Sequence, residues 1–122
     1  MTAKATISIR AEVVGLGRKL LGYLTHTDDT TPTEAGMQYK VVGAADTAEA
    51  LPLGGVATVQ GVWIRAIDYD LEVDCDYSSS FNKDFLLKAG DVPAFIPNPV
   101  LMYVKSEESD ETPAYEFLVY GT

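Results

Sequence analysis

The stretch IDYDLEVDCDY, residues 67–77, alternates strictly between two kinds of side chain. Every second residue from Ile67 is apolar or aromatic. A period of two is the side-chain period of a β-strand, whose successive residues face opposite sides of a sheet. The stretch therefore predicts a strand over residues 71–77 with one buried face. The residues predicted on its other, solvated face are acidic: Asp68, Asp70, Glu72, Asp74 and Asp76.

The same period recurs along most of the chain and predicts the fold class. Short strands about a dozen residues apart, without a long amphipathic helix, predict an all-β, single-domain antiparallel β-sandwich over residues 1–122. We expect it to be jelly-roll-like, with an N-terminal arm over residues 1–10, although periodicity does not separate a jelly roll from a Greek-key sandwich. Further strands are predicted over residues 7–13, 37–41, 56–67 (broken at Gly61), 100–105 and 114–120.

Two local predictions concern connections between these strands. We expect the strands over residues 100–105 and 114–120 to pair as a hairpin across the acidic loop SEESDETP. Asp46 and Glu49 have the spacing of a helix capping pair, so one helical turn before Pro52 is an alternative to a plain loop there.

Charge and composition exclude several kinds of partner. Acidic residues outnumber basic ones 18 to 9, for a net charge of -9, and only Arg18 and Lys19 are adjacent among the basic residues. Binding through nucleic acid phosphates needs clustered Lys and Arg, and anionic lipid repels an acidic protein, so we expect neither partner. MTAKATISIR contains no uninterrupted apolar run, and no later run has the length of a membrane span, so we expect no signal peptide and no anchor.

Side chains for catalysis or metal binding are few. Cys75 is the one cysteine and His26 the one histidine, which excludes an internal disulfide and a two-histidine metal centre within one chain. We expect His26 in an exposed polar loop, without a nucleophile or oxyanion device nearby. Gly15 and Gly17 predict a turn, because GLGRKL lacks the ending of a phosphate loop. The sequence thus predicts no enzyme, no catalytic residue, no cofactor and no metal.

Three interpretations fit the row of five carboxylates. The first is a solvated face with Lys83, Lys88 or Lys105 opposite. The second is an electronegative patch that meets a basic partner, which makes Asp70, Glu72, Asp74 and Asp76 partner-binding candidates. The third is a calcium site, which would need Asp28 or Asp29 to converge on it, because side chains along one strand face lie about 7 Å apart. Trp63, between two apolar residues, predicts packing in or beside the core rather than a sugar-stacking surface.

A series of turn and strand motifs runs over residues 51–122. It comprises LPLGGV, GVWIRAIDYDLEVDCDY, LLKAGDVPAFIP and LMYVKSEESDETPAYEFLVYGT. In this series the chain resembles small β-sandwich virion proteins of tailed bacteriophages, which show a glycine-bounded strand, an LKAGE-like turn, an lYVKA-like strand and a closing leYLv-like strand. The acidic row departs from the resemblance, because those proteins carry an Asn-rich bend there. Whether the chain bends at residues 68–70 or runs straight is therefore left open.

The resemblance implies a structural role on a virus particle. It implies a capsid decoration or cement protein that is made in the host cytoplasm. In the virion this protein would lie on the capsid surface and bind the major capsid protein as a symmetric oligomer, a trimer. Edge strands and the N-terminal arm, with Ile7, Ile9 and Arg10, are the expected contacts, because an unpaired strand edge offers backbone groups for sheet addition. The alternatives are a glycan- or receptor-binding module of a head or tail fibre and a head–tail connector component. No catalytic residues carry over.

Overall fold

The computed structural model describes residues 3–15, 17, 20–27 and 31–122. The chain divides into two compact units, Met1–Pro32 and Thr33–Thr122. All the regular secondary structure of the described residues is β-strand, and the sheets are antiparallel, which confirms the all-β sandwich prediction.

The first unit is a β-hairpin. Its strands, β1 (Thr6–Val13) and β2 (Leu20–Thr27), pair antiparallel along their full length. Gly15 and Gly17, between the strands, have φ angles of 90° and 82°, in the left-handed region that the predicted turn requires. Of the predicted arm, residues 6–10 belong to this longer hairpin, and residues 1 and 2 lie outside the described residues. The prediction that His26 lies in a loop is wrong, because it lies in β2 opposite Ile7.

The second unit is a sandwich of two four-stranded sheets, which we call the first and the second sheet. The first sheet has the order β3-β10-β5-β8, and the second has the order β4-β9-β6-β7. The strands are β3 (Glu34–Val41), β4 (Glu49–Ala50), β5 (Val59–Ala66), β6 (Leu71–Asp74), β7 (Phe85–Leu87), β8 (Ala94–Pro97), β9 (Tyr103–Ser106) and β10 (Ala114–Gly121).

The connections between these strands have the order of a jelly roll. Consecutive strands from β3 to β10 lie in opposite sheets, except for β6 and β7, which are neighbours in the second sheet. The predicted hairpin over residues 100–105 and 114–120 is therefore wrong, since β9 and β10 lie in different sheets. The helical turn before Pro52 is also wrong: the Thr47 N–H donates to the Ala44 carbonyl (3.2 Å) in a turn before β4.

The core lies between the inner faces of the two sheets. It follows the predicted alternation over the central residues of β5 and β10, where buried residues alternate with half-buried or exposed ones; the alternation breaks at the ends of β10 and at the start of β5. Full burial of one such side chain stabilises the fold by about 1.5–3 kcal/mol. The buried members include Val62, Ile64, Tyr115, Phe117 and Val119 of the first sheet and Leu71, Val73, Leu87 and Val104 of the second.

Residues 67–77 do not form one strand. β5 ends at Ala66, the chain bends over residues 67–69, and β6 occupies only Leu71–Asp74. The predicted strand over residues 71–77 is therefore too long, and the predicted break at Gly61 is wrong because β5 runs through it. The acidic row contains the corner at which the chain leaves the first sheet and enters the second.

Two glycines leave room for their neighbours in the first sheet. A Cβ at Gly61 would lie 2.6 Å from the Tyr120 hydroxyl oxygen and 2.7 Å from its ring. A Cβ at Gly121 would overlap the carbonyl oxygen of Thr58, which is backbone and cannot turn aside. Close packing therefore requires glycine at both positions.

We predict that Gly121→Ala lowers the free energy of unfolding by about 3 kcal/mol, the upper part of the range for overpacking. Gly61→Ala should cost less, because the atoms in the way belong to the Tyr120 side chain and not to backbone. Gly36→Ala is the matched control, since Gly36 lies in the same sheet with open space at its Cβ. Urea unfolding measures all three, and equal losses for Gly36→Ala and Gly121→Ala would contradict the prediction.

Candidate interaction surfaces

The first two carboxylates of the acidic row bind backbone groups at the corner. Asp68 accepts a hydrogen bond from the Ala114 N–H at 2.7 Å, which ties the bend to the start of β10. Asp70 accepts the Ala89 N–H at 2.8 Å and the Lys88 ammonium at 3.0 Å. These bonds lower the pKa of the Asp70 carboxyl, with the Ala89 N–H as the largest cause. Both side chains thus hold the corner together.

Asp74 is turned inward at the end of β6. Only 1% of its surface is exposed, and its two oxygens accept the N–H groups of Asp76 (3.1 Å) and Asn82 (2.9 Å). The prediction of a solvated face is therefore wrong for Asp74. The physical reason is that the strand ends here, and the carboxylate satisfies N–H groups of the loop that follows.

The predicted lysines do lie opposite the acidic row. Lys83 pairs with Glu72 at 3.3 Å, and Lys88 with Asp70 at 3.0 Å. Lys105 is the cross-strand partner of Glu72 in the β6–β9 ladder. Surface ion pairs of this kind contribute about 0–1 kcal/mol each, so they balance charge more than they stabilise the fold.

Asp74, Asp76 and Asp84 bring carboxylate oxygens within 4.8 Å of one another. The pKa of the exposed Asp76 carboxyl is raised, first by a hydrogen bond with Asp74 and then by repulsion from Asp84. Three such carboxylates have the chemistry of a hard-cation site. However, N–H groups bond to both oxygens of Asp74, and the Cys75 N–H donates to Asp84 at 2.7 Å, so loop capping accounts for the cluster. Asp28 and Asp29, predicted to complete a calcium site, lie outside the described residues.

The thiol of Cys75 is held in its protonated form. Burial and the neighbouring carboxylates, of which Asp84 has the largest effect, raise the pKa of this thiol to about 11. A thiolate is the nucleophilic and metal-binding form of cysteine. At neutral pH the side chain therefore acts as a small, half-buried apolar group.

One face of the hairpin is mostly apolar, and the other, which we call the polar face, is mixed. The polar face carries hydroxyl pairs, Thr6 with Thr27 (3.3 Å) and Ser8 with Thr25 (3.2 Å), and the Arg10 to Glu12 ion pair at 3.1 Å. It also carries Leu21 and Tyr23, with 55% and 68% of their surfaces exposed. The other face, which we call the hairpin apolar face, has Ile9 opposite Leu24, with 54% and 67% of their surfaces exposed. Its apolar members are Ile7, Ile9, Ala11, Val13 and Leu24, and His26 lies on the same face opposite Ile7.

The outer face of the first sheet carries an apolar row. Met37, Leu118, Trp63 and Phe95 lie side by side across its four strands, and we call them the outer row. Met37 is 62% exposed, and the other three are half-buried. Trp63 is half-buried on this outer face and is not among the partly buried side chains that pack against the core. Arg65 and Glu116 form an ion pair in the adjacent row.

The predicted partner-binding residues are distributed over different surfaces. Ile7 and Ile9 share the hairpin apolar face, whereas Arg10 points to the polar face. Asp76 remains at the surface, while Asp70, Glu72 and Asp74 bond within the chain. Leu24 and the outer row were missed. The pairing of Leu24 with Ile9 depends on hairpin register, and the outer row depends on strand order, which no local pattern contains.

Comparisons of the chain with protein-family models, with curated proteins and with solved structures give no match. The resemblance to virion proteins and the function drawn from it therefore stay predictions. Within the described residues, no helix is long and apolar enough to cross a membrane.

We predict that replacing the carboxylate by an amide changes the free energy of unfolding in opposite directions at Asp70 and Asp76. The lowered pKa of Asp70 means that its contribution to stability is present above the ordinary value of 3.8 and is lost as pH falls through the folded-state pKa. The raised pKa of Asp76 means that its favourable contribution is present below 3.8 and is lost as pH rises through the folded-state pKa. At pH 7, Asp70→Asn should lower the free energy of unfolding, and Asp76→Asn should raise it.

Urea unfolding at pH 7 and at pH 3 measures both variants. At pH 3 the Asp76→Asn difference should shrink, because Asp76 in the unsubstituted protein is then protonated. A destabilising effect of Asp76→Asn at pH 7 would contradict the assigned repulsion.

Proposed function

We propose that the chain is a structural virion protein of a tailed bacteriophage that decorates or cements the outer capsid surface as a symmetric oligomer. The resemblance over residues 51–122 motivates the proposal. A jelly roll supports it only as an analogy, because viral capsid proteins, lectins and cupins all use this fold and a fold does not determine a function. The observation that carries the proposal is the hairpin apolar face.

A two-stranded hairpin is marginally stable in water unless one face is covered. On the polar face the hydroxyl and charged groups pair with one another, and Leu21 and Tyr23 are the apolar exceptions. The apolar face exposes more than half of Ile9 and Leu24. Covering each of these side chains fully would contribute about 1.5–3 kcal/mol, which favours docking on another protein.

The major capsid protein is the partner that the resemblance implies. A capsid presents the same surface many times, and a symmetric oligomer engages several copies at once. Because linked contacts add through effective concentration, a hairpin of modest affinity on each copy is sufficient for firm attachment. The trimer inferred from the resemblance stays part of this proposal.

Binding of the purified protein to capsids that lack it tests the proposal. Ile9→Asp should weaken binding at least tenfold, since the lost burial exceeds about 1.4 kcal/mol. Ser8→Asp is the matched control, because it adds the same charge on the polar face of the same strand and should bind as the unsubstituted protein does. Equal binding by both variants, or absence of the polypeptide from purified virions by mass spectrometry, would refute the proposal.

The outer row favours a second candidate, a glycan- or receptor-binding module of a head or tail fibre. Trp63 and Phe95 are cross-strand neighbours on a solvent-facing sheet surface, and aromatic faces pack against sugar rings. A glycan array distinguishes this function from decoration. Binding that Trp63→Ala abolishes, with attachment to capsids absent, would favour the second candidate.

A further inference from the structure

The outer edge of β3 has unused backbone hydrogen-bonding groups. The Val42 N–H donates to the Pro113 carbonyl at 3.0 Å, in the register that pairs Val41 with Ala114. In an antiparallel ladder the residues that bond to a given neighbour alternate. The even-numbered residues of β3 therefore bond to β10, and the N–H and C=O groups of its odd-numbered residues point away from the sheet. Among the described residues, β3 pairs only with β10.

The two edges of the first sheet differ in their protection. β8 is the opposite edge, and Pro93 and Pro97 flank or end it, which is a common means of blocking sheet extension. β3 is an unbroken eight-residue strand without proline, and its register to β10 has no bulge. Natural edge strands that are long and unblocked are sites of pairing.

We propose that β3 pairs antiparallel with β3 of a second copy of this chain, across a two-fold axis at Met37. In this register Met37 lies opposite Met37 of the second copy, and Ala35 lies opposite Tyr39. Odd-numbered residues form the hydrogen-bonded pairs, as their free N–H and C=O groups require. The two first sheets then join into one continuous eight-stranded sheet.

Charge selects the register. Glu34 and Lys40 lie three residues before and three residues after Met37, on the same face of the strand. A two-fold axis at Met37 places Glu34 of each copy directly opposite Lys40 of the other, in non-hydrogen-bonded pairs where side chains approach most closely. An axis at Tyr39 would leave Glu34 beyond the end of the partner strand. Lys40 also pairs with Glu49 of its own chain at 3.5 Å, so it would join two carboxylates.

The outer face gains an apolar contact in the same arrangement. Met37 and Tyr39 are 62% and 64% exposed in the single chain. Pairing at Met37 brings the two outer rows end to end, so that eight apolar side chains would cross the joined sheet. Cross-strand apolar pairs and shared burial then add to the backbone bonds.

Disulfide trapping tests the register, in a Cys75→Ser background. Residues of a hydrogen-bonded antiparallel pair have Cα atoms about 5.5 Å apart, within the range of a disulfide. Met37→Cys should therefore cross-link two copies under mild oxidation. Tyr39→Cys is the control on the same face, because its two Cα atoms would lie roughly 14 Å apart. Cross-linking by Tyr39→Cys alone, or by neither variant, would overturn the proposal.

Sedimentation tests the contact without cysteines. The unsubstituted protein should sediment as a dimer or as an assembly with an even number of copies. Met37→Pro removes an N–H that faces the free edge and none that bonds to β10, although its ring also fixes φ at this position. It should halve the assembly, and thermal unfolding checks that the sandwich is still folded. A monomer or an isolated trimer for the unsubstituted protein would overturn the proposal.

Charge reversal adds a further control. Glu34→Lys and Lys40→Glu should each weaken association at least tenfold, and the double variant should restore it because the pairs are re-formed with opposite signs. Failure of the double variant to recover more affinity than Lys40→Glu alone would contradict the register. The proposed contact is independent of the proposed function. Its tests are independent too, because all these measurements use the isolated protein without capsids.

Discussion

The sandwich depends on two carboxylates that satisfy backbone N–H groups where the chain passes from one sheet to the other. A corner removes backbone groups from the ladder, and a buried N–H without a partner costs about 1–3 kcal/mol. Ala114 is buried at this corner, and Asp68 accepts its N–H. Asp70 accepts the N–H of Ala89, which is exposed, and so fixes the turn after β7 without satisfying a buried group. With these bonds in place, β5, β6 and β10 are fixed relative to one another, and the remaining strands pack on them.

This use of carboxylates changes how the charge of the chain is understood. A net charge of -9 and an acidic row indicate an electronegative binding surface at first sight. Much of that row instead bonds to N–H groups and lysines of its own chain. Three surfaces lack partners within the described units. The hairpin apolar face and the outer row are apolar, and the edge of β3 presents backbone N–H and C=O groups. Recognition through these surfaces would use burial and sheet addition, while the charge maintains solubility.

The pattern of the sequence predicts which residues face the core better than it predicts which strands pair. Val62, Ile64 and Phe117 are buried as alternation requires, because that period reflects only the local geometry of a strand. Alternation also continues through the bend at residues 67–69, so the sequence pattern does not reveal the corner. The loop SEESDETP suits a hairpin or a crossing between sheets equally well, and the first was wrongly preferred. The burial of Asp74 depends on Asn82, eight residues away and in another turn.

An open edge strand can pair with other chains and cause aggregation, and charge repulsion between copies of an acidic protein opposes this. Long-range repulsion between two copies of net charge -9 opposes unspecific association, although salt screens it beyond about 8–10 Å. At the β3 edge itself the charges are mixed, since Glu34 and Lys40 stand at its two ends. A misaligned register would bring like charges or no charges together, and the backbone bonds alone would then have to overcome the repulsion. Alignment at Met37 pairs opposite charges at short range, where screening is least effective. Net charge thereby opposes unspecific association, while the Glu34 and Lys40 pairs make the permitted contact specific.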